Sequence, residues 1–73
     1  MARETVEFPI TGRIISVNVE QGSVVQEGDI LCLLESMKME NPILAPVAGT
    51  VTKIELSAGQ MVKAGELVAI IEY

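Results

Sequence analysis

The sequence predicts an all-β domain of eight short strands, built as one four-strand unit used twice. Three observations lead there. First, sliding the 73-residue chain against itself by 37 positions brings its halves into register without a gap. Thr11 through Glu35 then lies over Ala48 through Glu72, and all six glycines pair: Gly12 with Gly49, Gly22 with Gly59, Gly28 with Gly65. Glycine and proline mark backbone geometry, so this coincidence, with Pro9 over Pro46, implies two copies related by a quasi-twofold axis. Second, Phe8 and Tyr73 are the only aromatic residues. Val, Ile and Leu must build the core, and β-branched side chains suit a pleated surface. Third, turn residues recur at close spacing, as in small barrels and two-sheet sandwiches. Residues 1–73 read as a single domain with internal repeats at approximately 9–35 and 46–72.

Each unit can be read in order. Pro9 and Pro46 open the units, where a missing N–H is tolerated on a strand edge. Ile14, Val17 and Val19 match Val51, Ile54 and Leu56, with Ser16 and Asn18 matching Lys53 and Glu55. That alternation predicts a half-buried strand. The three-residue step from Ile14 to Val17, repeated from Val51 to Ile54, predicts a bulge or sharp bend. Gln21-Gly22-Ser23 and Ala58-Gly59-Gln60 are turns, followed by short apolar strands at Val24-Val25 and Met61-Val62. Glu27-Gly28-Asp29 and Ala64-Gly65-Glu66 turn again, into the apolar runs Ile30–Leu34 and Leu67–Ile71. The second run is β-branched, and the repeat obliges the first to match it. The expected core is Ile14, Val17, Val19, Val25, Ile30, Leu31, Leu33, Val51, Ile54, Leu56, Val62, Leu67, Val68 and Ile70.

Composition excludes several classes of function. Ten acidic residues against five basic ones give a formal charge of −5, the wrong balance for neutralising nucleic-acid phosphates. The longest apolar run, Ile30 to Leu34, is too short to insert in a membrane. Met1 to Thr5 contains no signal-like apolar stretch, so a cytoplasmic location is the expectation. The chain has no histidine and one cysteine. It therefore lacks the commonest general acid–base and any internal disulfide. Cys32 sits inside an apolar run opposite Ala69 and reads as a buried small hydrophobe. The acidic residues show no calcium-loop spacing, and no base stands ready to activate a serine. Independent catalysis and a metal site are not expected.

One stretch breaks the pattern. Leu33 to Glu40 is built from good helix formers, with no Gly and no Asn-Gly turn signal, yet strands surround it. A local rule broken once points to a functional site. The repeat places this stretch at the tip equivalent to the chain termini, with Lys38 exposed and furthest from them. Met37 and Met39 flank it where polar turn residues are expected, and an exposed Met can serve as a handle for a partner's pocket. On these grounds Lys38 is either a functional lysine or an ordinary solvated one.

Glu35-Ser36-Met37-Lys38-Met39-Glu40-Asn41 closely resembles the attachment signature of biotinyl domains, the biotin carboxyl carrier family within the biotin/lipoyl attachment group. Ala45-Pro46 with Gly49-Thr50-Val51 is similar to that family's segment after the attachment hairpin. Gly22, Val25, Gly28 and Leu31, with Gly59, Val62, Gly65 and Leu67, resemble its paired turns and strands. The resemblance spans Phe8 to Tyr73. It implies a flattened eight-stranded barrel-sandwich of two four-stranded antiparallel sheets, with a lysine on a tight hairpin. Two-residue turns need φ > 0, so strain at Met37 and Lys38 is expected.

The resemblance also implies biotin in amide linkage to Lys38, attached by a biotin protein ligase. Glu35, Ser36, Met37, Met39 and Glu40 would serve ligase and partner recognition. The chain would be a non-catalytic carrier, moving a carboxyl group between biotin carboxylase and carboxyltransferase sites of a biotin-dependent carboxylase or decarboxylase. Many members have Ala where Ser36 stands, a small-for-small change. There is no room for the protruding loop of some acetyl-CoA carboxylase carriers, which favours a carrier of another kind, either stand-alone or an excised domain. Two other readings compete. A lipoyl carrier usually has Asp before its lysine and Ala or Val after it, which Met37 and Met39 do not match. An unmodified interaction module would leave Lys38 a plain surface residue.

Overall fold

A computed structural model describes residues 2–73, and among them every regular element is a strand. These are β1 (Arg3–Glu7), β2 (Gly12–Val17), β3 (Val24–Val25), β4 (Ile30–Ser36), β5 (Met39–Leu44), β6 (Gly49–Lys53), β7 (Met61–Val62) and β8 (Leu67–Glu72). They form two four-stranded antiparallel sheets, ordered β1-β8-β6-β3 and β5-β4-β2-β7. Adding 37 to the residues of the first four strands gives the last four to within one residue at an end, and the same step converts one sheet into the other. No helix of the described residues is long and apolar enough to cross a membrane.

Each sheet takes two strands from each unit, so neither half has a complete sheet of its own. The connections interlock in the same symmetric way. Gly22 N–H donates to the Val51 carbonyl at 2.7 Å, and Gly59 N–H to that of Ile14 at 2.7 Å. Gly28 donates to Ala45 and Gly65 to Phe8, both at 2.8 Å. These four glycines have φ between +90° and +97°, a region that costs any residue with a Cβ. The turns are closed alike by side chains: Asp29 Oδ2 accepts from Gln26 N–H at 2.8 Å, and Glu66 Oε2 from Lys63 N–H.

The three-residue step is a bulge. Pairing of β2 with β4 slips between Ile14 and Ser16, and pairing of β6 with β8 slips between Val51 and Lys53. A second symmetric bulge was not foreseen: β4 against β5 slips between Ile30 and Cys32, while β8 skips Val68 against β1. It corrects the expected core. One extra residue reverses the inside–outside alternation downstream. Leu31 and Cys32 are therefore both buried, followed by Leu34, and Val68 and Ala69 by Ile71. Leu33, Leu67 and Ile70 are only half-buried, and Ile30 is exposed. Ile14, Val25, Val51 and Val62 are buried as expected, while Val17, Val19, Ile54 and Leu56 pack around the core half-buried.

The other correction concerns β1 and β5, the strand of each unit that sequence patterning left unread. They supply Val6 and Ile43, and the residues just beyond them supply Phe8 and Ala45, all buried. Pro9 and Pro46 accordingly lie in the bends after these strands and not on a strand edge. Pro42 does sit on an edge strand, β5, where its missing donor faces no neighbour.

Candidate functional site

The site is the β4–β5 hairpin. Six residue pairs join the two strands, ending with Glu35 opposite Glu40 and Ser36 opposite Met39. Only Met37 and Lys38 remain to turn the chain. Their φ values are +54° and +64°, the pattern of a type I′ turn, and they are the only non-glycine residues with positive φ among those described. A helix-prone sequence is thus held in a hairpin by the ladder below it, whose inward side chains Cys32 and Leu34 are fully buried. The strain anticipated at these residues is present, at about 1–2 kcal/mol for each ordinary residue in this region.

The hairpin is braced from one side. Ser36 Oγ donates to the Thr11 carbonyl at 2.9 Å, and Thr11 Oγ1 accepts from Ala64 N–H at 3.3 Å. This short relay ties the hairpin to the β7–β8 turn. Gly12 lies so close that a Cβ there would collide with the Glu35 carbonyl oxygen and stand 3.1 Å from Leu34 Cγ. Arg13 approaches Glu35 at 3.4 Å, with both side chains largely in solvent. Across the ladder Glu35 faces Glu40, a like-charge pair, whereas the equivalent pair at the termini is Arg3 with Glu72 at 3.5 Å.

Lys38 is exposed at the apex and has no ion pair among the described residues. Met37 is 91% exposed and Met39 66%. Of the residues picked from the sequence, Glu35, Ser36, Met37 and Lys38 line one shallow groove beside the hairpin; Met39 and Glu40 do not line it. Thr11, Arg13 and Met61 join this groove and were not foreseen. Arg13 stands over Thr50 and Met61 over Val24, but most aligned positions of the two units differ, so these two mismatches carried no signal of their own. The one thiol, Cys32, is buried, and desolvation pushes its pKa up to about 11. No cluster of three metal-ligating side chains occurs among the described residues.

Residues 4–71 match the biotin/lipoyl family of domains, described as biotin-requiring enzymes. The chain belongs to that family. This biotin/lipoyl domain is similar to the methylmalonyl-CoA decarboxylase subunit gamma of Veillonella parvula, with 51% identity over 43 residues, 59% of this chain and 33% of that one. It is 50% identical over 42 residues to the biotinylated protein TB7.3 homolog of Mycolicibacterium smegmatis, covering 58% and 59% of the two chains. Its fold superposes on part of the Kluyveromyces lactis urea carboxylase with a TM-score of 0.89 and 36% identity, over 99% of this chain and 6% of that one. The biotin/lipoyl domain therefore spans about a third of the length of the decarboxylase subunit and a small part of the urea carboxylase.

Proposed function

We propose that this chain is a biotin carboxyl carrier whose covalent attachment site is Lys38. The observation that carries the reading is a lone lysine at the apex of a strained two-residue turn in a chain of this family. The residues present fit the group. Acylation needs an accessible primary amine, and Lys38 is exposed with no competing ion pair among the described residues. Names of relatives support the choice of biotin: one is a biotinylated protein, and others are a biotin-dependent carboxylase subunit and a decarboxylase gamma subunit.

The chain contributes position and recognition. A biotin protein ligase forms the amide at Lys38 Nζ, reading the folded hairpin through Glu35, Ser36, Met37, Met39 and Glu40. Met37 and Met39 offer flexible apolar contact on either side of the amine. Ser36 and Gly12 hold the turn against the strands, so the amine is displayed from a fixed base. When bound, biotin supplies a ureido nitrogen that takes up a carboxyl group at a biotin carboxylase site and releases it at a carboxyltransferase site. Tethering raises its local concentration at both sites without tight docking at either. The chain acts as one non-catalytic domain, a reading supported by its lack of histidine and its buried, protonated thiol.

Co-expression with a biotin protein ligase, followed by intact mass and streptavidin binding, tests this. Wild type should gain one biotinyl group and Lys38→Arg none, with Tm unchanged because the side chain is exposed. A lipoyl mass instead would make it a lipoyl carrier. Equal absence of label in both chains would leave an unmodified interaction module.

A further inference from the structure

The twofold repeats a groove as well as strands. The hairpin groove, about 420 Å³, is lined by Thr11, Gly12, Arg13, Glu35, Ser36 and Met61, with Met37 and Lys38 completing it. Its counterpart beside the paired termini, about 670 Å³, has Thr50 in place of Arg13, Val24 in place of Met61 and Tyr73 in place of Ser36. The backbone makes a groove at both places, so the groove itself implies nothing. The replaced side chains do.

At the hairpin, the wall gains a guanidinium 3.4 Å from a carboxylate. At the termini, the equivalent carboxylate of Glu72 is paired by Arg3 from the edge strand, outside the groove lining. A guanidinium and a carboxylate thus line the same groove at the hairpin, beside Lys38, and not at the termini. A ureido group has the matching pattern, a carbonyl acceptor flanked by N–H donors. Met61, 66% exposed, and Met37 add polarisable apolar surface on either side. The Arg13–Glu35 pair is exposed and contributes little to stability, so each member can turn one edge to a ligand.

The geometry points to a resting site for the acylated Lys38 arm in this groove. Arg13 donates to the ureido oxygen, Glu35 accepts from a ureido N–H, and Met61 with Met37 covers the apolar ring. The inference rests on Lys38 carrying biotin. The site is weak by design: a tether supplies an effective concentration of order millimolar, so a millimolar site is filled for about half the time or more. The arm then leaves readily for a partner.

Two measurements on the fully biotinylated chain test it. With methionine methyl groups labelled, biotinylation should shift the Met61 methyl and Arg13 Nε–H resonances, with Overhauser contacts from Met61 to ring protons. In rapid-mixing capture by avidin, Met61→Ala and Arg13→Ala should react up to about twofold faster than wild type, as expected for release of a half-filled tethered site. Val24→Ala, the matching change in the other groove, should capture at the wild-type rate. A chain that gains no biotinyl mass removes the carrier reading and this inference together. Full mass gain with an unshifted Met61 methyl, or with equal capture rates for all variants, overturns the inference alone.

Discussion

Replacing Met37-Lys38 by Asn-Gly should stabilise this domain while destroying its amine. Both residues occupy left-handed backbone, at φ +54° and +64°, which costs about 1–2 kcal/mol per ordinary residue. Asn tolerates this region and Gly enters it freely, so Met37→Asn with Lys38→Gly relieves most of about 2–4 kcal/mol. Against that, Gly adds conformational freedom to the unfolded chain, about 0.5–1 kcal/mol. Little packing is lost, since Met37 is 91% exposed and Lys38 is also in solvent. The net gain is about 1–2 kcal/mol, which for a domain of this size raises Tm by about 5–15 °C. Thermal unfolding followed by circular dichroism reads it, with Met39→Asn as a control just outside the turn that should not rise. An unchanged or lower Tm for the double variant, with the Ser36–Met39 register intact by NMR, would refute strain at this turn.

Three further outcomes follow from the same structure. Gly12→Ala and Gly49→Ala each force a Cβ onto a strand-end carbonyl, of Glu35 and Glu72 respectively, and should each lose about 1–3 kcal/mol in urea unfolding. Val25→Asp buries a carboxylate at a position 2% exposed and should leave the chain unfolded by circular dichroism at neutral pH. Cys32 has a folded pKa raised to about 11 from 9.0 by burial, so the unfolded state releases its proton first. Stability relative to Cys32→Ala should be flat below pH 9, fall between pH 9 and 11, and level off above; a difference that is flat throughout would show the thiol to be solvated.

Much of the fold was legible because glycine carries it. The four turn glycines and the two close-approach glycines, Gly12 and Gly49, are all forced by backbone geometry. Their pairing in the sequence therefore reports the twofold directly. The core was read less well, and one cause dominates. A bulge leaves no trace inside an unbroken apolar run such as Ile30–Leu34, so the alternation could not be phased, and Leu33 was expected where Leu34 is buried. The step from Ile14 to Val17 was visible only because polar Ser16 interrupts it. β1 escaped notice because Arg3–Glu7 is mostly charged, and one buried residue, Val6, shows no period. At the site, Lys38 and its turn were legible as a breach of local propensity. Arg13 and Met61 were not, because their importance comes from strands brought alongside the hairpin by β2 pairing with both β4 and β7.

The symmetry explains why one tip and not the other became unusual. Both carry the same strand-end arrangement, with a glycine pressed against the carbonyl of Glu35 or Glu72. At the other tip β1 and β8 lie side by side, with Ala2 and Tyr73 exchanging backbone hydrogen bonds at 2.8 and 2.9 Å. At the hairpin the chain must continue across the same gap in two residues, which imposes the left-handed pair. Neither Asn nor Gly was used to relax it, and the favourable Arg3–Glu72 cross-strand pair is replaced there by Glu35 facing Glu40. Strain and like-charge repulsion therefore coincide at one corner of an otherwise self-consistent fold. A purely structural hairpin would gain from removing both, and both lie beside the exposed Lys38, as the attachment role proposed for it would lead one to expect.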